Sequence, residues 1–188
     1  LMPGSRSSEI NRHAKLFFEV AELLNNKLED IEFVIPVVDS KTGEQLKKLL
    51  TMSFSNLNVT ITDSTHSALS ASDLVITKSG TSTLEAALHK KPMVVVYKMS
   101  SLSYWFLKIF NIVQTEYIAL PNILLGKKLV PELIQENASS KAIFAESLFW
   151  LSNQQKTIEL QQQFDLLSSQ LQQNASFLAA STIVKMLQ

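Results

Sequence analysis

The chain has 188 residues, of which 46% are hydrophobic and 18% are charged, and its 17 Lys and Arg balance its 17 Asp and Glu. This length fits one ordinary domain or a compact half of a larger protein. The balanced charge argues against a protein that binds nucleic acid through its overall charge. The absence of cysteine excludes disulfides, thiolate nucleophiles and zinc–sulfur sites, and it favours a reducing compartment. No apolar run approaches the roughly 18 residues of a membrane-spanning helix.

Helices and strands are predicted to alternate up to about residue 120. Apolar residues spaced by three and four predict a helix from Glu9, and a β-branched segment predicts a strand at 31–35. After a polar loop at 39–43, the predicted elements are helix 44–52, strand 57–61, helix 66–70, strand 74–77, helix 82–89, strand 93–97, helix 101–111 and strand 117–120. This alternation predicts an α/β, Rossmann-like parallel sheet with helices on both faces.

Beyond Pro131 the strand signal stops and only helices are predicted. They start near Pro131, at about 139 (to 151) and at about 154 (to 186). The last helix is rich in glutamine, but its apolar residues recur by four, three and four, which argues against a disordered tail. The chain is thus divided into a Rossmann-like domain, residues 1–151, and an amphipathic helical extension, residues 152–188.

The first candidate binding loop precedes the first helix and follows what we interpret as the stump of a strand. Gly4 allows a tight turn, Ser5 supplies a hydroxyl group, and Arg6 offers the fork of donors that suits a phosphate. In an ordinary helix start the serines would be caps and Arg6 would pair with Glu9. The motif alone favours this ordinary explanation.

The second candidate loop runs from a strand into the next helix. Ser79 and Thr81 are small residues around Gly80, so a ligand can approach the backbone there. Glu85 lies one turn into the helix, where its carboxylate could accept both hydroxyls of a ribose. Ser82 and Glu85 also fit a capping box, which accounts for both without a ligand. Both interpretations stay open.

The third candidate loop leaves the last predicted strand and contains Asn122, and Gln135 follows on a predicted helix. Their amide groups could contact a nucleobase or a sugar. The local pattern favours a plainer explanation, in which Asn122 is a turn residue and Gln135 a solvated helix position.

The aromatic-rich segment 102–110 is apolar nearly all round, which usually means that a helix is buried. The alternative is a surface that contacts lipid or an acyl chain. In that case Trp105 and Lys108 would lie at the interface and Lys98 would add charge.

Six segments match one known family in order and spacing. They are residues 1–10, 77–86, 91–99, 103–105, 117–124 and 129–136. Together they resemble the lipid-A-disaccharide synthase family, and the resemblance covers residues 1 to about 137. It implies a glycosyltransferase-B arrangement of two Rossmann-like domains, of which this chain is the carboxyl-terminal, donor-binding half. The chain also begins without an initiator methionine, so we expect an excised domain that lacks the amino-terminal half.

The resemblance also implies a reaction. The family transfers 2,3-diacylglucosamine from UDP-2,3-diacylglucosamine to the 6-hydroxyl of 2,3-diacylglucosamine 1-phosphate (lipid X) and releases UDP. An α-linked donor that gives a β-linked product implies inversion by a single in-line displacement. Such a step needs a base on the acceptor side and stabilisation of the departing diphosphate. The base would belong to the missing domain, so no catalytic residue is assigned here beyond leaving-group stabilisation by Arg6.

The same resemblance assigns donor-side roles. Arg6 would hold the UDP phosphates together with the N–H groups near Ser5 and the second loop, while Glu85 would take the ribose hydroxyls and Glu9 would orient Arg6. The remaining assigned residues would surround the uridine, the diphosphate or the donor sugar. The full set is Ser5, Arg6, Ser79, Gly80, Thr81, Glu85, Met99, Asn122 and Gln135.

Neither a metal ion nor another cofactor is expected, because enzymes of this architecture use helix dipoles and basic side chains, and no paired aspartates adjoin the loops. The amphiphilic substrates and the segment around Trp105 predict a cytoplasmic protein bound peripherally to the inner membrane, with no nucleic-acid partner. We expect the long last helix to return to the missing domain or to exchange between the copies of a homodimer.

Two other interpretations stay open. A different glycosyltransferase-B enzyme, such as the peptidoglycan N-acetylglucosaminyltransferase, or a UDP-N-acetylglucosamine 2-epimerase would share the diphosphate site and the ribose-binding glutamate. Residues 103–105 and 120–122 favour the lipid pathway. From another class, the chain would be a non-catalytic module that binds sugar nucleotides.

Overall fold

The computed structural model describes residues 1–99, 116–172 and 183, and the helix predicted at 101–111 lies outside these residues. The elements in chain order are α1 (Ser7–Asn25), β1 (Phe33–Pro36), α2 (Ser40–Ser53), β2 (Val59–Thr62), α3 (Thr65–Ala71), β3 (Val75–Lys78), α4 (Ser82–Leu88), β4 (Met93–Tyr97), α5 (Leu120–Leu125), β5 (Glu132–Ile134), a 3-10 turn (Gln135–Asn137), α6 (Ser140–Ser152) and α7 (Gln154–Gln172).

The described strands pair in parallel. β1 pairs with β2, and β4 lies between β3 and β5. Residues 1–2 join these two sheets, because the Leu1 nitrogen donates to the Val34 carbonyl at 2.8 Å and Met2 forms a parallel bridge with Thr77. The order is therefore β2, β1, residues 1–2, β3, β4, β5. The predicted α/β, Rossmann-like fold is confirmed.

The strand order reverses its direction between residues 1–2 and β3. From residues 1–2 the chain builds outward through β1 and β2, then crosses back to β3 and continues through β4 and β5 on the other side. In open parallel sheets, ligands bind outside the carboxyl ends of the strands that flank such a reversal. Two loops leave those strands: the first loop (residues 3–6) and the second loop (residues 79–81).

The core is continuous through the described elements. The first four side chains of β4 are fully buried, which is typical of a parallel strand covered by helices on both faces. Around the sheet, α1 packs against α2 and α6, while α4 packs against α5 and α7. Among the helices that the structure describes, none combines the length and the apolar character needed to cross a bilayer.

The glutamine-rich segment forms α7, as its apolar spacing predicts. Leu160, Phe164 and Leu167 are buried in the same core as the sheet, and α7 packs against α4, α5 and α6. The chain itself therefore covers these three residues of the apolar face, whereas Leu171 of the same face is 37% exposed. The division of the chain at residue 152 stays a prediction.

The predicted strand at 117–120 is wrong. The Glu132 carboxylate accepts from the backbone N–H groups of residues 118–119, at 3.0 and 2.8 Å, so these groups are not available to a neighbouring strand. The chain enters α5 instead, with Pro121 in the first turn and Gly126 ending the helix at a φ of 62°. Proline at the start and glycine just past the end are ordinary helix boundaries, and here they mark a helix of only six residues.

The predicted helix at Pro131 is wrong as well. The Pro131 carbonyl accepts from the Val95 N–H at 3.0 Å, and the chain continues along β4 as β5. A residue without an N–H group suits both the first turn of a helix and the first residue of a strand. Pro131 is therefore compatible with either a helix or a strand. Pairing with β4 determines that the chain forms a strand here.

The helix predicted at 44–52 begins earlier than expected. Asp39 accepts from the Thr42 N–H at 2.7 Å, and this side-chain cap allows α2 to start at Ser40. The polar segment 39–43 is thus the N-terminal boundary of α2 rather than the predicted loop.

Candidate functional site

One carboxylate joins the two loops at the reversal point. Glu9, in the first turn of α1, accepts from the Arg6 guanidinium and from the Lys78 ammonium, each at 3.1 Å through Oε1. Its Oε2 accepts from the Ser5 N–H at 3.0 Å and from the Arg6 N–H at 3.4 Å. Because Lys78 ends β3, this carboxylate ties the first loop to the start of the second. The pairing of Arg6 with Glu9 is present.

The cluster carries a positive net charge. The Arg6 side chain is 78% exposed, whereas those of Glu9 and Lys78 are only 14% and 20% exposed. Burial alone would raise the pKa of Glu9, but hydrogen bonds from Lys78 and from the backbone of residues 5 and 6 hold this pKa below its usual value. Glu9 is therefore ionised at neutral pH and offsets only one of the two cations, beside the positive end of α1.

Gly4 allows Glu9 to reach this position. The Gly4 φ is +128°, and a Cβ at this residue would lie 2.5 Å from the Glu9 Cβ and 2.6 Å from its Oε2. Any side chain would therefore overlap with Glu9. Gly4 therefore leaves room for the Glu9 carboxylate, in addition to allowing the turn that the sequence predicts.

The second loop offers backbone groups rather than its serine hydroxyl. Ser79 donates from its N–H to the Val96 carbonyl at 2.9 Å and from Oγ to the Ile118 carbonyl at 2.9 Å, so it fixes the loop. Neither the Gly80 N–H nor the Thr81 N–H donates to another described residue. Of the three predicted phosphate-binding residues in this loop, Gly80 and Thr81 have N–H groups that a ligand can use.

The predicted alternative for Glu85, a capping box with Ser82, is not formed. Ser82 Oγ instead bonds to Thr77 Oγ1 at 2.8 Å, and the Thr81 side chain makes no cap hydrogen bond. Glu85 is exposed on α4 and its carboxylate bonds to no other described residue. The capping explanation is wrong, and the ribose-binding role stays a prediction.

Asn122 is buried, and its hydrogen bonds are all made within the chain. It is 0% exposed, and its Nδ2 donates to the Val130 carbonyl at 3.0 Å and to Glu132 at 2.8 Å. Its Oδ1 accepts from the N–H groups of residues 129 and 130 at 2.8 and 3.1 Å. Both donors and both lone pairs are used, so Asn122 supports the start of α5 instead of making the predicted ligand contact.

Met99 and Gln135 lie together where the chain leaves β4 and β5. The Gln135 Oε1 accepts from the Met99 N–H at 3.0 Å. Gln135 is in the 3-10 turn, rather than on the predicted helix, and its φ of +50° is uncommon for a residue with a side chain. Strained backbone of this kind clusters at binding sites. The sheet thus brings both predicted residues to its carboxyl edge.

His13 is a residue of this region that the sequence did not identify. It is 1% exposed, and its Nε2 accepts from the Lys98 N–H at 3.1 Å. The ring proton therefore sits on Nδ1, which donates to the Glu9 carbonyl at 2.9 Å. His13 thus ties α1 to the chain just before Met99. Its place on the buried stripe of the helix was the available signal, but its partner lies 85 residues away.

Acidification should destabilise the fold through His13. Burial lowers the pKa of this imidazole, and once Nε2 is protonated it can no longer accept the hydrogen bond from the Lys98 N–H. The unfolded chain therefore takes up the proton first, and stability is lost as the pH falls from about 6.5 through the folded-state pKa. One such group changes the free energy of unfolding by at most about 1.4 kcal/mol per pH unit.

Urea unfolding across a series of pH values measures this dependence in the wild type and in His13→Gln, which does not titrate in that range. We expect a shallower dependence on pH in the variant. Equal slopes would show that the buried imidazole does not control the acid sensitivity.

Comparison of the sequence with known proteins shows which family the chain is similar to. The family model described as lipid-A-disaccharide synthetase matches residues 1–186. The lipid-A-disaccharide synthase of Xylella fastidiosa is 39% identical over 193 residues, covering 100% of this chain and 49% of the relative. Those of Hahella chejuensis and Pseudomonas putida are 36% and 38% identical, covering 100% of this chain and 47% and 48% of the relatives. The chain spans about half the length of these curated relatives.

Proposed function

The chain belongs to the lipid-A-disaccharide synthase family, and we propose that it is the donor-binding half of a glycosyltransferase of lipid A biosynthesis. The proposed donor is UDP-2,3-diacylglucosamine. The proposed acceptor, 2,3-diacylglucosamine 1-phosphate, would be bound mainly by the half of the enzyme that this chain does not include.

The observation that carries the proposal is the meeting of the first and second loops beside a net positive charge at the reversal point of the sheet. Diphosphates bind in such crevices because N–H groups and cations face the same place. In the proposed complex, Arg6 and the N–H groups of Gly80 and Thr81 hold the phosphates. Glu85 accepts the ribose hydroxyls, and Met99 and Gln135 line the space beyond.

The proposed chemistry for this half is stabilisation of the leaving group. The acceptor hydroxyl attacks the anomeric carbon from the face opposite UDP, and the bond between that carbon and the β-phosphate oxygen breaks. The pair of electrons goes to UDP, whose added negative charge Arg6 offsets. The hydroxyl proton passes to a base of the other half, and the configuration inverts.

The amphiphilic substrates further support peripheral contact with the inner membrane as a proposal. The return of the last helix to the other half, or its exchange between the copies of a homodimer, stays a prediction, as does a reaction without a metal ion or another cofactor.

Titration calorimetry with UDP tests the donor site. We expect the folded chain to bind UDP, and Arg6→Ala and Glu85→Ala each to weaken binding about tenfold or more, because each removes charge-assisted hydrogen bonds. The matched controls are Arg12→Ala and Glu44→Ala, which truncate exposed residues of α1 and α2. A folded chain that binds no UDP, or losses equal to those of the controls, would contradict the proposal.

A further inference from the structure

Lys78 contributes to the positive charge of the donor site, but the proposed complex gives it no contact with the ligand. Its ammonium lies 3.1 Å from the Glu9 carboxylate, and only 20% of its side chain is exposed, which is low for a residue type that usually stays in solvent. A Cβ placed on Gly80 would lie 3.4 Å from its Nζ. The ammonium is therefore held against the second loop instead of extending into water.

The charges around Glu9 leave one cation in excess. Arg6 and Lys78 bond to the same carboxylate oxygen, and the other oxygen faces the backbone N–H groups of residues 5 and 6. Among the described residues, neither cation pairs with a second acidic group. A largely buried lysine that shares its counter-charge with a second cation favours the arrival of an anion.

We propose that Lys78 binds the diphosphate of the nucleotide together with Arg6, an inference that rests on the donor site proposed above. Both nitrogens lie 3.1 Å from one oxygen, so they are at most twice that distance apart. A diphosphate has oxygens on two phosphorus atoms and can reach both cations. It also brings more negative charge than the single carboxylate. Glu9 is then a positioning residue that keeps both cations in place before the ligand binds.

A structural ion pair between α1 and β3 is the alternative role for Lys78. Loss of such a pair would loosen the first loop and weaken the binding of every nucleotide by a similar factor. A lysine that touches the phosphates contributes more to a ligand with two phosphates than to a ligand with one. The ratio of UDP affinity to UMP affinity therefore distinguishes the two roles.

Titration calorimetry of the 188-residue chain with UDP and with UMP measures this ratio in the wild type, Lys78→Gln and Lys78→Arg. We expect Lys78→Gln to weaken UDP binding about tenfold and UMP binding much less, while Lys78→Arg keeps most of the ratio. The matched control is Lys156→Gln, which removes a lysine paired with Glu159 at 2.7 Å on α7 and should behave as the wild type.

Equal UDP affinities of wild type and Lys78→Gln, or equal factors of weakening for UDP and UMP, would overturn the role of Lys78 and leave the donor site standing. A folded wild-type chain that binds no UDP would overturn the donor site itself. Thermal unfolding checks that each variant is folded. Lys78→Met keeps the aliphatic stem without the charge and replaces Lys78→Gln if that variant does not fold.

Discussion

Replacing Asn122 with aspartate should destabilise the chain by about 3 kcal/mol or more at neutral pH, because it breaks a fully satisfied buried network. The new carboxylate oxygen would take the place of Nδ2, which donates to Glu132 at 2.8 Å and to the Val130 carbonyl at 3.0 Å. Two carboxylates and a carbonyl would then face one another without a proton between them. The side chain has the same shape as before, so the loss reports on hydrogen bonding rather than on packing.

The pH dependence of this loss gives a second measurement. Two carboxylates at hydrogen-bond distance raise the pKa of the pair, because a shared proton relieves their repulsion. A pKa that is higher in the folded state adds stability at low pH and loses it as the pH rises. The difference in unfolding free energy between wild type and Asn122→Asp should therefore be smaller in mild acid than at neutral pH.

Urea unfolding at several pH values measures both effects. The matched control is Asn137→Asp, which makes the same change at an exposed position of the 3-10 turn and should alter stability little. A small loss at Asn122, equal to that of the control, would mean that the amide is not essential to the fold. It would then again be available for the ligand contact that the sequence predicts.

The sequence predicted the fold where local pattern and tertiary structure agree. β4 is a continuous apolar run, and its predicted bounds, 93–97, are those of the structure. The elements of the wrong type lie between residues 117 and 134, where distant partners decide the conformation, whereas α2 differs mainly in where it begins. The Glu132 carboxylate takes two N–H groups that a strand would need, and β4 takes residues that were expected to start a helix. The partners, Glu132 in the first case and β4 in the second, cannot be identified from the residue pattern of the segments that they bind.

The candidate site was predictable to a similar degree. Residues that follow predicted strand ends are brought to one edge by any parallel sheet, so Arg6 and Gly80 could be proposed without coordinates. Gln135 comes from the family resemblance instead, because its own segment predicts a helix rather than the end of a strand. The contacts that organise the site could not, because Glu9 meets Lys78 across 69 residues. From sequence alone, a lysine at the end of a strand is expected to be an ordinary surface residue, because its contact with Glu9 is visible only in the structure.

Gly4→Ala should cost about 2 to 4 kcal/mol of unfolding free energy and should also disturb nucleotide binding. The added Cβ would lie 2.5 Å from the Glu9 Cβ and 2.6 Å from its Oε2, at a φ of +128° that disfavours any side chain. Glu9 must then move, and it releases the first-loop N–H groups and the ammonium of Lys78 together.

Gly126→Ala is the control that separates backbone strain from this overlap. Gly126 also has a left-handed φ, +62°, but a Cβ there would have no atom within 4 Å. We expect it to cost only about 1 kcal/mol and to leave UDP binding unchanged. Thermal unfolding and UDP titration of both variants measure the difference. If the two variants lose the same stability and bind UDP equally well, the displacement of Glu9 has no consequence, and the carboxylate does not organise the site.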